Sequence, residues 1–512
     1  MTNITSPQLL PVLATTLILA ASTIAAYGYH KSSSRRKRLG VFPTSSPWFM
    51  PFADLVRIIR AGTFEQFIKD RKAALKSDAF YMHLLGFSQL PTLVVTEPAD
   101  FVDIMHKEGK LNLCVQMPDT VKATHGPGNL QLLSGVRHNF LRKIFAKLLH
   151  PNTLERFLPY FYEEFTKMWA KLDEADGEVI IQDAICEAQF FLMAKILYGM
   201  TPENTDLDTM RQLQHDFDLQ MKGHFASPKS KTFRDAKEAS QSIRRVLNPM
   251  FDAVLDKRRH LMQTGDVTIE ATHDDLPVGN AMESIADALL KDNVQDDEQI
   301  RSDVYDNLNL LLEASHGTTM SVTTTALYYL NHPDNAASLE KLHKEMNAFG
   351  NSPPTLSNLK NDTPIADGVI KEAMRLAPIV GNVTYACKDE IAFTFKGHKM
   401  CGPISFFLAF AHNYSDPKYF PNPESFIPER WIAGSGVEVS DEARATYRPF
   451  GMGKHICLGY KLAELVMKSA MYCFASDETR VIEFDVTKVK RVPNIFPAYH
   501  VSDGFPARVV KS

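Results

Sequence analysis

The stretch that most narrows what this chain can become is Phe450-Gly451-Met452-Gly453-Lys454-His455-Ile456-Cys457-Leu458-Gly459. Two glycines before the cysteine and one after it allow a tight loop with close backbone approach. A helix is predicted to follow, from about Tyr460 to Phe474, which sets Cys457 near a helix N-terminus. Backbone N–H groups and the helix dipole at such a place lower a thiol's pKa and favour thiolate. A thiolate held in a glycine-lined loop meets the requirement for an axial haem ligand.

The other five cysteines, Cys114, Cys186, Cys387, Cys401 and Cys473, include no CxxC pair, which argues against a zinc ribbon. Six cysteines in 512 residues read as a reduced, cytosolic body. At 45% hydrophobic and 23% charged the chain is ordinary for a globular protein, so disordered, fibrous and polytopic membrane classes are excluded. Its 56 basic and 60 acidic residues give no electrostatic case for nucleic acid.

Residues 1–29 contain no Asp, Glu, Lys or Arg, and Leu9 to Tyr29 is long enough for the ~20 residues of a bilayer-spanning helix. The basic run Lys31 to Arg38 follows it. Positive charge after the apolar segment predicts an uncleaved anchor with the basic side in the cytosol, since a cleaved signal would carry its charge first. Residues 1–30 are read as the anchor and 31–47, with Pro43 and Pro47, as a basic, semi-rigid hinge. The sequon Asn3-Ile4-Thr5 falls on the lumenal side, close to the membrane.

From residue 48 to 512 no linker separates domains. Helical spacing is predicted over 64–75, 136–149, 153–174, 183–199, 204–222, 234–264, 300–330 and 335–348. Short strands are predicted over 80–85 and 93–95, with Gly86 between them, near 391–396 and 404–410, and at the C-terminal end. Asp266 to Asp297 is polar and acidic and reads as a surface loop with a helical insert. The fold class is mainly α with a small β region.

The pattern FxxGxxxCxG, with a basic residue two before the cysteine, resembles the haem-binding loop of cytochromes P450, His455 standing where that family usually has Arg. Glu372-Ala-Met-Arg375 and Phe426-Ile-Pro428-Glu429-Arg430-Trp431 are similar to the family's ExxR and PERF elements, in the right order. Leu310 to Thr319 resembles the AGx[DE]TT segment of the oxygen-side helix, and His138-Asn-Phe-Leu-Arg142 the WxxxR of another, with His138 in the Trp place. The resemblance is to microsomal eukaryotic members, including those of fungal secondary metabolism.

That resemblance implies a cytochrome P450-like fold behind one N-terminal transmembrane helix, and haem b with iron on Cys457. Phe450, Gly453, His455 and Gly459 would shape the loop, and Arg142 and His138 would bond the propionates. Small Ala314 would let haem and substrate approach. Thr318, with Thr319 beside it, would hold oxygen and its proton-donating water. Glu372, Arg375 and Arg430 would form a buried structural ion network. Gly317 replaces the family's acid, which predicts a kink or groove and leaves His316 or Glu313 as substitute proton carriers, helix geometry deciding.

The implied activity is monooxygenation of a hydrophobic small molecule, terpenoid, steroid or polyketide-like, in secondary metabolite biosynthesis. The alternatives are a haem-thiolate isomerase or dehydratase of a peroxide, and a non-catalytic haem-binding protein. No flavin or nicotinamide motif is present, so electrons are expected from NADPH through a separate reductase, steered by Arg137, Lys143, Lys147, Arg448, Lys454 and Lys461. The expected location is the endoplasmic reticulum membrane, single-pass, with the catalytic domain on the cytosolic side. The substrate roof is expected from apolar residues including Phe217, Leu219, Met221, Phe225, Ile379, Val380 and Val383.

Overall fold

The computed structural model describes residues 42–45, 53–82, 90–224, 226–264, 279–350, 352–489, 491–492 and 500–511. The anchor predicted at 1–30, the sequon at Asn3, Gly86 and Phe225 lie outside the described residues, as does most of the hinge over 31–47. Among the described residues no helix is long and apolar enough to cross a membrane.

The chain divides into two compact units, the first drawn from Met1–Gln116 and Thr384–Ala409. It carries helices α1 (Ala53–Ala61), α2 (Phe64–Leu75) and α3 (Pro98–His106). Strand Ala79–Met82 pairs antiparallel with Thr92–Val95, which runs parallel to Ile404–Leu408; Val383–Cys387 and Cys114–Val115 complete a five-stranded sheet. Residues on both faces of the first strands are buried, which is why their apolar runs lack alternation. The described part of the predicted hinge is not a spacer. Pro43 and Ser45 exchange backbone hydrogen bonds of 2.8 and 2.7 Å with Tyr81, because an extended segment can satisfy its polar groups on an open strand edge.

The second unit, Met117–Val383 with Phe410–Ser512, is mostly helical. Its helices are α4 (Asp119–His125), α5 (Gly135–Ala146), α6 (Pro151–Asp173), α7 (Ile181–Tyr198), α8 (Leu207–Gly223), α9 (Lys231–Thr264), α10 (Ala281–Lys291), α11 (Glu298–Leu330), α12 (Ala336–Asn347), α13 (Pro364–Leu376) and α14 (Tyr460–Ala475). The long helix α11, roughly 50 Å at 1.5 Å per residue, starts where Asp297 accepts from the N–H groups of Gln299 and Ile300. It packs on α7, α9, α13 and α14 and carries the functional segment through the core.

Of the stretch Asp266 to Asp297, residues 279–297 are described, and the expected helical insert is there, though not on the surface. Its insert α10 is a core helix in which Met282, Ile285, Ala286 and Leu289 are fully buried. Apolar residues at i, i+3, i+4 and i+7 drive the burial, and Arg258 neutralises the buried Asp287 through bonds of 2.6 and 2.5 Å. The acidic residues that coloured the composition lie on its flanks.

Candidate active site

The cysteine loop folds as its glycines require. Gly451 and Gly453 take positive φ of 76° and 73°, the left-handed region open to glycine. The Cys457 N–H donates to the Phe450 carbonyl at 2.8 Å, which closes the loop, and α14 begins at Tyr460. Phe450 packs against the apolar cluster of Val322, Ile370, Met374, Ile379 and Met467. Of the six cysteines only Cys457 has an exposed side chain; Cys114, Cys387 and Cys473 are buried.

The sulfur is reachable yet closely surrounded, as at the floor of a concavity. Desolvation by the surrounding atoms pushes its thiol pKa up, against the fall expected from the helix N-terminus. The Gly459 N–H and the charge of Arg142 pull in the expected direction but are outweighed. A bound metal would deprotonate the thiol, as metals do their thiol ligands.

Three further sequence candidates converge on the loop. The rings of His138 and His455 lie 4.1 Å apart at 31°, and His455 Nε2 donates to the Leu133 carbonyl at 2.9 Å. Arg142, one turn beyond His138 on α5, is the cation felt at the sulfur. Histidines thus occupy both positions where the family pattern has Trp and Arg, and they stack on each other.

Glu372, Arg375 and Arg430 are 0%, 2% and 3% exposed. Arg375 meets Glu372 in a bidentate fork at 2.9 and 2.8 Å, and Arg430 Nε reaches Glu372 Oε1 at 3.1 Å. The guanidinium of Arg375 also donates to the carbonyls of Tyr414, Pro423 and Ser425, and that of Arg430 to Asn422. Burial, with Arg375 beside it, lowers the Arg430 pKa. Sequence reasoning missed Trp431, whose Nε1 donates to Glu372 Oε2 at 3.0 Å. It also missed Gly368, where a Cβ would sit 2.5 Å from the Pro428 carbonyl, so glycine there lets α13 close on this segment.

On α11, Ala314 and Thr318 are exposed in the middle of an otherwise largely buried helix, one turn apart and so on one face. Thr318 donates to the Ala314 carbonyl at 2.9 Å, and Thr319 is buried. The kink or groove expected at Gly317 is not there. The helix runs unbroken, and a Cβ on Gly317 would meet Met221 Cε at 3.1 Å, so the space is filled from α8. His316 is turned away from Thr318, about 200° around the helix. It is 2% exposed, its Nε2 is 3.2 Å from the Cys186 carbonyl, and its ring stands edge-on to Phe190 at 5.6 Å. Burial lowers its pKa. Glu313 instead shares the Gly317 face. Phe217, assigned to the substrate roof, is fully buried against Phe190, whereas Met221 and Val380 keep exposed surface.

A lone exposed thiol in a left-handed glycine loop, an Arg charge beside it, and open space where Gly451 and Gly459 lack Cβ fit a haem held through one sulfur. The sequence signature of the family Cytochrome P450 matches residues 43–475. The chain belongs to the cytochrome P450 family, and so is a haem-thiolate oxidoreductase of the monooxygenase type. It is 24% identical over 495 residues to the 3beta,22alpha-dihydroxysteroid 3-dehydrogenase of Arabidopsis thaliana, covering 94% of this chain and 97% of that one. It is 24% identical to cytochrome P450 26A1 of Danio rerio over 83% of each chain. It is 26% identical to cytochrome P450 monooxygenase TRI4 of Fusarium sporotrichioides over 65% of this chain and 64% of that one. The solved structure of retinoic acid-bound cyanobacterial CYP120A1 superposes with a TM-score of 0.70 at 21% identity, covering 87% of this chain and 94% of that chain, which places the fold.

Proposed function

We propose that this protein inserts one oxygen atom from O2 into a hydrophobic small molecule of terpenoid, steroid or polyketide type, in secondary metabolite biosynthesis. It does so at the endoplasmic reticulum, anchored through residues 1–30 with the catalytic body in the cytosol. The observation that carries the reading is an exposed Cys457 and an exposed Ala314–Thr318 face, both in the second unit. A relative named a dihydroxysteroid 3-dehydrogenase supports a steroid-like substrate, and one named a monooxygenase supports the reaction type.

A haem held through the Cys457 sulfur would supply the oxygen-activating and oxygen-inserting chemistry. The chain's own residues do the rest. Cys457 supplies the sulfur, and the Gly459 N–H tempers its charge. Arg142 and His138 would hold the propionates, Arg through its planar fork, and His455, bonded to the Leu133 carbonyl, would shape the loop. Ala314 leaves room for substrate. Thr318 Oγ1, which donates to the Ala314 carbonyl, would hold a proton on the exposed face of α11. Glu372, Arg375 and Arg430 keep the loop in place. Electrons come from NADPH through a separate reductase, which meets exposed Lys143, Lys454 and Lys461. Arg137 is already paired with buried Asp303, so it is withdrawn from that set.

Reconstitution with reductase and NADPH tests the reading: product is expected only when both are present. Turnover of a peroxide substrate without them would replace oxygen insertion by isomerisation. In the same assay Thr318→Ala is expected to cut product per NADPH by about 10-fold or more, within the ~10²–10⁴ reach of positioned acid–base groups. Peroxide release should rise in step. Unchanged coupling would remove Thr318 from proton delivery.

A further inference from the structure

Along α11 runs a row of polar residues that face helix α4, the loop after it, and helices α8 and α9. Asp303 is paired with Arg137, and Asp306 with Arg244 at 2.9 Å. Asn309 exchanges hydrogen bonds of 3.0 Å with Gln220. Where the row needs an ion pair, the chain supplies arginine. Glu313 is different. Among the described residues its charged partners are two imidazoles, His125 Nε2 at 2.9 Å and His224 Nδ1 at 3.4 Å. The three ligating atoms all lie within 4.8 Å of one another. They come from three segments far apart in sequence: the end of α4, the residue after α8, and the middle of α11.

We propose that His125, His224 and Glu313 form a zinc site, separate from the haem, that staples α4 and the end of α8 to α11. Two imidazoles and one carboxylate are a zinc donor set, and one atom from each of the three side chains lies within 4.8 Å of the others, so small side-chain rotations bring them to ligand distance from one ion. The surroundings prepare the ligands. Thr124 Oγ1 lies 3.3 Å from His125 Nδ1, which orients the ring and leaves Nε2 for the metal. Gln220 Nε2 donates to Glu313 Oε2 at 2.8 Å and steadies the carboxylate. His125 is fully buried, while Glu313 and His224 keep 11% and 12% of their side chains exposed, which gives an ion a way in.

The test uses the full, haem-loaded protein. Zinc and iron are measured after dialysis, and zinc is titrated calorimetrically into chelator-treated protein. About one zinc per haem is expected, with a rise in Tm of roughly 2–5 °C at saturating zinc. Glu313→Gln and His224→Ala should each weaken zinc by more than the ~10–100-fold that loss of an outer-sphere partner costs. The reduced carbon monoxide spectrum verifies that each variant is folded. If Glu313→Gln does not fold, His224→Ala and the unaltered protein decide. Absence of zinc binding by the unaltered protein would reduce the cluster to an acid–imidazole hydrogen-bond network. Equal binding by the variants would put the ion elsewhere. Either result overturns the proposal.

Discussion

Cys457→Ala is expected to remove the thiolate-type band of the reduced carbon monoxide complex altogether, along with turnover. The sulfur has no understudy. Cys114, Cys387 and Cys473 are buried, and burial pushes the thiols of Cys473 and Cys186 up to about 12 and about 11. None of these sits in a glycine loop, and the half-buried Cys401 ends the strand His398–Cys401 in the first unit. The change removes one exposed side chain and breaks no core contact, so the apoprotein should stay folded and the loss should be chemical. Cys457→His offers a second view: a nitrogen ligand should restore haem binding but not the thiolate spectrum. Persistence of that spectrum in Cys457→Ala would mean another cysteine holds the iron.

Glu372→Gln is expected to have the largest effect on stability. The carboxylate accepts from Arg375, Arg430, Trp431 and the Ile427 N–H, and is fully buried. Gln cannot neutralise the two guanidiniums, which would then face each other without a counter-charge. Breaking a buried ion pair from one side costs about 3–5 kcal/mol, a large share of the ~5–15 kcal/mol that a folded protein has. Soluble, haem-loaded protein should fall to a small fraction of the parent yield, and unfolding midpoints in denaturant should shift accordingly. Arg375→Lys should be milder yet still harmful, because an ammonium cannot make the fork while also reaching the carbonyls of Tyr414, Pro423 and Ser425. Parent-like stability in Glu372→Gln would mean the network contributes little.

Much of this was readable before any coordinates. The glycine–cysteine loop depends on local backbone freedom, so its glycines announced it, and two of them take the left-handed conformation. Helix periodicity marked α2, α6, α7, α9 and α11 to within a few residues; α6 and α9 each have one strongly apolar face, whereas α7 and α11 are buried on most sides and were marked by their length. Composition misled at α10, where acidic flanks concealed an apolar face. It also misled at residues 43–45, whose strand partner Tyr81 lies far along the chain.

The linear chain determined which chemistry is available: one cysteine in a loop that presents it, an acid and two arginines spaced to lock together, and a threonine pair on a long helix. Those depend on neighbours within a few bonds or on residue type. Tertiary packing decided the rest. It turned His316 into the core against α7, filled the space beside Gly317 with Met221, and raised rather than lowered the Cys457 thiol. It also gathered His125, His224 and Glu313 from three segments. Direction around a helix and desolvation depend on what packs opposite, and that is set only when distant segments meet.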